Sequence, residues 1–259
     1  MGWTKWIAGL VGFISGGPLG ALAGYALGSL VDHLMADGSQ GEGPTATDTF
    51  DASPQQGQRN GFLFSLMVLL SYVIQADGRI MHSEMEYARR FLRTSFGEEA
   101  EREGDQILRR LFQLSQTKTP QEWKEQIRSC CVQLTYELPE EQRLQLLAIL
   151  IGVAKADGHV ADEEVSALRE LAAWMAIGAQ MVDQLANLGG NSLEAAYKLL
   201  GIAPTATDEE VRKAYRQMAL KCHPDRVQAL GDDVRQQAEE TFKQINQAKE
   251  QIYKARGMK

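Results

Sequence analysis

A chain of 259 residues, 44% hydrophobic and 24% charged, has the make-up of an ordinary globular protein and room for roughly one to three domains. Its formal charge of −7 is unevenly spread: residues 1–56 carry −4, residues 57–191 carry −5 and residues 192–259 carry +2. No segment is basic enough to make nucleic acid the expected partner, and three cysteines without a CxxC pair exclude a zinc ribbon and suit a reducing compartment.

Residues 6–31 carry no charge, and Gly12, Gly16, Gly20, Gly24 and Gly28 recur at every fourth position. At about 1.5 Å per residue such a helix is long enough to cross a hydrocarbon core of about 30 Å. Glycine forms helices poorly in water, but in lipid a row of glycines lets a second helix approach closely. Residues 1–36 are therefore expected to form a membrane segment that self-associates through its glycine face. Trp3, Trp6 and Tyr25 suit the headgroup region. The apolar run is too long for a secretory signal and has no A-x-A site after it. A hairpin broken at Gly16-Gly17-Pro18 is the alternative to a single crossing. Lys5 by itself favours a cytoplasmic N-terminus.

Residues 37–59 are rich in Gly, Ser, Thr, Pro, Asp and Gln, which reads as a flexible linker. From Gly61 the pattern is helical, with no β-branched alternation, so the fold class is all-α and no sheet is expected. About seven helices are expected between Gly61 and Leu188, punctuated by Thr119-Pro120 and Leu138-Pro139. Two stretches repeat: VIQADGRIMHSEME from Val73 and VAKADGHVADEEVS from Val153. Each follows an apolar helix and precedes an amphipathic one, with Met85, Ala88, Phe91 and Leu92 matched by Val165, Leu168, Leu171 and Ala172. Gly78 and Gly158 suit left-handed turns.

The duplicated Ala-Asp-Gly pattern, with Glu84 and Glu164 after Asp77 and Asp157, resembles the TerB (tellurite-resistance) domain over residues 60–188. The four carboxylates form a candidate acidic-loop site for a hard cation. One loop alone falls short of the six to eight oxygens calcium takes. The simpler reading gives the aspartates to turn N–H groups and the glutamates to helix first turns. His33, His82 and His159 have no second ligand at metal spacing; Cys130-Cys131, Trp123 and Trp174 read as packing. No phosphate loop, nucleophile–base pair or metal-ligand spacing is present, so no catalytic residue, metal or cofactor is expected.

The last segment reads LEAAYKLLGIAPTATDEEVRKAYRQMALKCHPDR from Leu193. A short helix carries Leu193, Ala196, Tyr197 and Leu200 on one face and ends at Gly201. Thr207 and Glu210 form a capping box. The next helix buries Val211, Ala214, Met218 and Ala219, shows Arg212, Lys213, Arg216 and Lys221 on the other side, and must stop at Pro224. A long helix follows from Asp232, with Val234, Ala238, Phe242, Ile245, Ala248 and Ile252 at helical spacing.

This antiparallel helix pair with a His223-Pro224-Asp225 loop resembles the J domain of DnaJ-type co-chaperones over residues 192–259. The resemblance implies docking on a DnaK-type chaperone ATPase and stimulation of its ATP hydrolysis. On it, His223, Pro224 and Asp225 are the trigger, Asp225 offering a carboxylate to a partner arginine. Arg212, Lys213, Tyr215, Arg216, Lys221 and Arg226 are the implied contact surface, the cations steering the domain onto an acidic partner. Gln217 stands where many members carry another basic residue, and Cys222 replaces the usual aromatic before the histidine.

The order membrane segment, TerB-like bundle, C-terminal J domain is similar to that of membrane-anchored DnaJ-like co-chaperones of bacteria. That similarity implies the inner membrane, with both soluble modules in the cytoplasm beside the chaperone and its ATP. No glycine/phenylalanine linker and no cysteine-rich zinc module accompany the J domain, which favours local recruitment over general substrate delivery. Two further readings are a metal- or stress-responsive TerB-like sensor and a membrane scaffold built on the glycine face.

Overall fold

A computed structural model describes residues 54–258, except Arg79, Met81, Ala156, Asp157, His159 and Gly231. Among the described residues there is no strand. The glycine row Gly12–Gly28 lies outside them, and no described helix is long and apolar enough to cross a membrane. Among the described residues seven helices precede residue 188: α1 (Pro54–Ile74), α2 (His82–Phe96), α3 (Glu98–Gln116), α4 (Pro120–Glu137), α5 (Glu140–Ala154), α6 (Asp162–Trp174) and α7 (Gln180–Leu185). Helix α1 begins at Pro54, inside the stretch whose composition reads as linker. Proline suits a helix's first turn, where its missing N–H leaves no bond unmade.

From Phe62 to Ile74 in α1 and from Leu144 to Ala154 in α5, apolar residues fall on nearly every side, and such stretches must be enclosed. Leu66, Leu69, Leu70 and Val73 of α1, and Leu146, Leu147, Leu150 and Val153 of α5, are fully buried. Around them wrap amphipathic helices. Each repeat's second helix crosses onto the other repeat's first: α2 packs on α5, and α6 packs on α1. The matched residues Met85, Ala88, Phe91 and Leu92 of α2 are buried. On α6 the buried set is Ala167, Leu168, Leu171 and Ala172, with Val165 only half-buried. Helix α4 opens with a complete capping box: the Thr119 hydroxyl accepts from the Glu122 N–H, and the Glu122 carboxylate accepts from the Thr119 N–H at 2.8 Å.

Gly78 and Gly158 lie at φ 75° and 84°, where a Cβ is strained, although neither site lacks space for one. Gly158→Ala should therefore cost about 1–2 kcal/mol from the backbone alone. Gly158→Asn should recover much of the loss, because Asn tolerates that region. Thermal melts of the two variants check both statements.

Among the described residues three helices follow: α8 (Leu193–Leu200), α9 (Asp208–Lys221) and α10 (Asp232–Arg256), with a 3-10 turn over Pro224–Leu230 between the last two. Helices α9 and α10 form the expected pair, and α8 lies against α10. On α8 the buried residues are Ala196, Tyr197, Leu199 and Leu200; Leu193, at the first helical position, is exposed. Gly201 takes φ 67° as a left-handed cap. On α9 Val211 and Met218 are buried, while Ala214 and Ala219 are half-buried.

The two modules share one apolar core. The 3-10 turn packs on α1, α5 and α10 with Val227 and Leu230 buried, and α10 packs on α2. Lys155, just after α5, is tied to the segment that leads into α8, its ammonium donating to the carbonyls of Ala186 (2.7 Å) and Leu188 (3.1 Å). Burial lowers the pKa of this lysine.

Candidate functional site

Helix α9 starts from a capping box. The Glu210 carboxylate accepts from the Thr207 N–H at 2.7 Å, and the Thr207 hydroxyl accepts from the Glu210 N–H at 3.3 Å. The Thr207 N–H, and the Thr207 hydroxyl donating to the same carboxylate oxygen at 3.0 Å, hold the Glu210 carboxyl below the ordinary glutamate pKa. Its contribution is complete above the unfolded value and fades as the pH falls through the lower folded one. Thr207→Ala should destabilise α9 by about 1 kcal/mol, read as faster amide exchange over its first turn.

The helix ends where Pro224 forbids another turn. Cys222 caps it, its N–H donating to the Met218 carbonyl at 3.0 Å. Burial pushes the Cys222 thiol up to about 12, which keeps it a packing group rather than a reactive thiolate. The chain then coils tightly, and the Arg226 N–H donates to the His223 carbonyl at 3.0 Å. His223 is fixed twice. Its Nδ1 accepts from the Asp225 N–H at 3.2 Å, and its ring stands edge-on to Phe242 at 5.3 Å. Accepting at Nδ1 assigns the proton of the neutral ring to Nε2. The Asp225 side chain is 67% exposed. Its Oδ1 accepts from Gln228 Nε2 at 3.1 Å, and Oδ2 lies 3.6 Å from His223 Nδ1. The result is a carboxylate presented outward from a turn that helix α10 braces.

Tyr215 is spent within the fold: its hydroxyl donates to Asn246 Oδ1 at 2.7 Å, and the Lys249 ammonium lies 5.0 Å from its ring centre. The cations divide into two groups. Arg212, Lys213 and Arg216 make no ion pair among the described residues; the Arg216 Nε donates to the Arg212 carbonyl at 3.2 Å. Lys221 instead meets Glu140 at 2.7 Å and Arg226 lies 3.8 Å from Glu141, both acids being in the first turn of α5.

Phe242, Asn246 and Lys249 brace this site from one face of α10, at i, i+4 and i+7. That spacing was a readable signal, but pointing it at the loop needed the fold. Arg256 had no such signal. It donates to the Tyr197 hydroxyl (2.7 Å), the Asp208 carboxylate (2.8 Å) and the carbonyls of Pro204 (2.8 Å) and Ala206 (2.5 Å), tying the α8–α9 loop to the end of α10.

The acidic loops are arranged differently. Glu164 is buried in the first turn of α6, where its carboxylate accepts from the Ala161 N–H at 2.7 Å. Glu84 is likewise buried in the first turn of α2, and Asp77 sits in the turn after α1. Asp157 lies outside the described residues. Among the described residues no three His, Cys, Asp or Glu side chains stand close enough to hold a metal ion.

Comparison with known proteins agrees with this layout. Residues 195–256 match the DnaJ domain, residues 64–187 the tellurite resistance protein TerB, and residues 1–52 the co-chaperone DjlA transmembrane domain. The chain is 27% identical to the co-chaperone protein DjlA of Coxiella burnetii over 284 aligned residues, covering all of both chains. It is 24% identical to DjlA of Photobacterium profundum, covering 99% of this chain and 100% of that one. The chaperone protein DnaJ of Thermoplasma acidophilum is 50% identical over 54 residues, which is 21% of this chain and 14% of that one. No solved structure matches.

A capped basic helix, a braced His-Pro-Asp turn and a returning helix, in a segment that matches the DnaJ domain, define a DnaJ-type co-chaperone. With a TerB domain before the J domain and the transmembrane-domain match at the start, the chain is DjlA-like along its whole length.

Proposed function

We propose that this chain is a membrane-tethered recruiter of a DnaK-type chaperone, docking through α9 and the His223-Pro224-Asp225 turn and stimulating the partner's ATP hydrolysis. The observation that carries the reading is the outward carboxylate of Asp225 on a braced turn, at the end of a helix whose Arg212, Lys213 and Arg216 are unpaired among the described residues. An acidic partner surface carrying one arginine is the complement of that arrangement. Docking begins with the cations, whose attraction speeds encounter. Asp225 then offers a charge-assisted bond to the partner arginine, and the braced His223 keeps the turn in register. The bond-breaking chemistry belongs to the partner, so this chain needs neither cofactor nor nucleophile and acts as a regulator.

Residues 1–36 hold the assembly at the inner membrane and pair with a second copy through the glycine face, with residues 37–53 as tether. Both soluble modules lie in the cytoplasm, where the chaperone and ATP are. The capping role of Glu164 and the burial of Glu84 favour a structural part for those glutamates over cation binding.

The test is flotation. Vesicles carrying the full chain should carry a DnaK-type chaperone upward with them when ATP is present. Vesicles carrying His223→Gln should float without it. Equal recovery of the chaperone with both, or failure of the chain itself to float, contradicts the proposal.

A further inference from the structure

The two cations that flank the His-Pro-Asp turn, Lys221 before it and Arg226 after it, are both partly solvent-exposed and both lie within reach of acids on the bundle. Lys221 reaches Glu140 at 2.7 Å and Arg226 reaches to 3.8 Å from Glu141. The backbone beneath them is seated: the 3-10 turn that carries Arg226 packs on α1 and α5 with Val227 and Leu230 buried, and α9 itself touches α5. Among the described residues the cations at the start of α9, Arg212, Lys213 and Arg216, thus make no ion pair, whereas those at its end lie beside acids of α5. The trigger lies at the border, with His223 and Asp225 still exposed.

We infer that the TerB-like bundle is a partial brake on its own J domain, in which Glu140 and Glu141 occupy the cations that an acidic chaperone surface would otherwise use. The inference rests on the proposed docking of a DnaK-type chaperone through this face. Two consecutive acids held against two cations present the same chemistry as the partner. Being in the same chain, they compete at a high effective concentration. Each pair is half-exposed and therefore weak, holding back binding by a factor of about 1.5 to 5. Two such pairs make a brake that lowers apparent affinity without closing the site. Any movement of α5 relative to the 3-10 turn would release it.

The experiment is a titration of single-turnover ATP hydrolysis by a DnaK-type chaperone, using the full chain in detergent. Four proteins are compared: wild type, Glu140→Gln/Glu141→Gln, Asp162→Asn/Glu163→Gln, and His223→Gln. The α5 double variant should reach half-maximal stimulation at a concentration about three- to tenfold lower than wild type, with the same plateau, at about 50 mM salt. The gap should shrink at about 0.3 M salt. Asp162 and Glu163 are exposed on α6 and make no ion pair with the J domain among the described residues, so their variant matches the loss of charge and should titrate as wild type. Glu140→Gln and Glu141→Gln alone disturb one side chain each and should each give part of the gain.

Superimposable curves for wild type and the α5 double variant, with wild type active and His223→Gln silent, overturn the brake and leave the docking reading standing. The same gain from the α6 variant also overturns it, by showing a bulk-charge effect. Flat curves for every protein overturn the docking reading and the brake together.

Discussion

Asp225→Asn should weaken binding of a DnaK-type chaperone about 10- to 100-fold while leaving the J domain folded. The affinity loss follows from the bond removed. A hydrogen bond to a charged group is worth about 1.5–3 kcal/mol, and about 1.4 kcal/mol is a factor of ten. The fold survives because asparagine keeps an oxygen that can accept from Gln228, and because the Asp225 N–H that braces His223 belongs to the backbone. His223→Gln acts by another route. It loses the edge-on contact with Phe242 and the ring acceptor for the turn, so the carboxylate is no longer held in place. Equilibrium binding of the chaperone to both variants, with thermal melts alongside, separates the two effects. An Asp225→Asn affinity within about twofold of wild type would show that this carboxylate is not the specific contact.

Leu230→Ala should destabilise both modules at once, by about 2–5 kcal/mol. Leu230 is fully buried in the 3-10 turn, which packs on α1 and α5 of the bundle as well as on α10. A cavity there is open to both sides of the shared core. The position of the tryptophans makes the coupling measurable: Trp123 and Trp174 are in the bundle, and residues 192–259 contain none. With Trp3 and Trp6 replaced by Phe, fluorescence during urea unfolding reports the bundle alone. A substitution in the J-domain turn should then lower the midpoint of a signal that arises wholly outside the J domain. An unchanged fluorescence midpoint, with a separate early loss of helical signal, would show two independent modules.

What the sequence made legible was whatever is coded by neighbours. The capping boxes at Thr119–Glu122 and Thr207–Glu210, the stop at Pro224 and the left-handed turns at Gly78 and Gly158 are local, and each lies where its residues place it. The helical periodicity of Val234, Ala238, Ile245, Ala248 and Ile252 is local too, and all five are buried. The boundaries of α1 and the exposure of Leu193 depend on what packs alongside, which spacing does not carry. The same reason hid the site's wider frame. Glu140 lies 81 residues before Lys221, and Arg256 lies 59 residues after Tyr197; no pattern within one helix connects such partners. Read alone, Lys221 and Arg212 are equivalent members of one basic face. The fold distinguishes them, pairing Lys221 with Glu140 of the bundle while Arg212 makes no ion pair among the described residues.

The most direct measurement is the rate of a single ATP turnover on a DnaK-type chaperone with and without the purified full-length chain. The rate should rise in a saturable way as the chain is added, and the rise should vanish with His223→Gln. A rate that stays at the chaperone's own value across the titration, or rises equally with His223→Gln, would contradict the account.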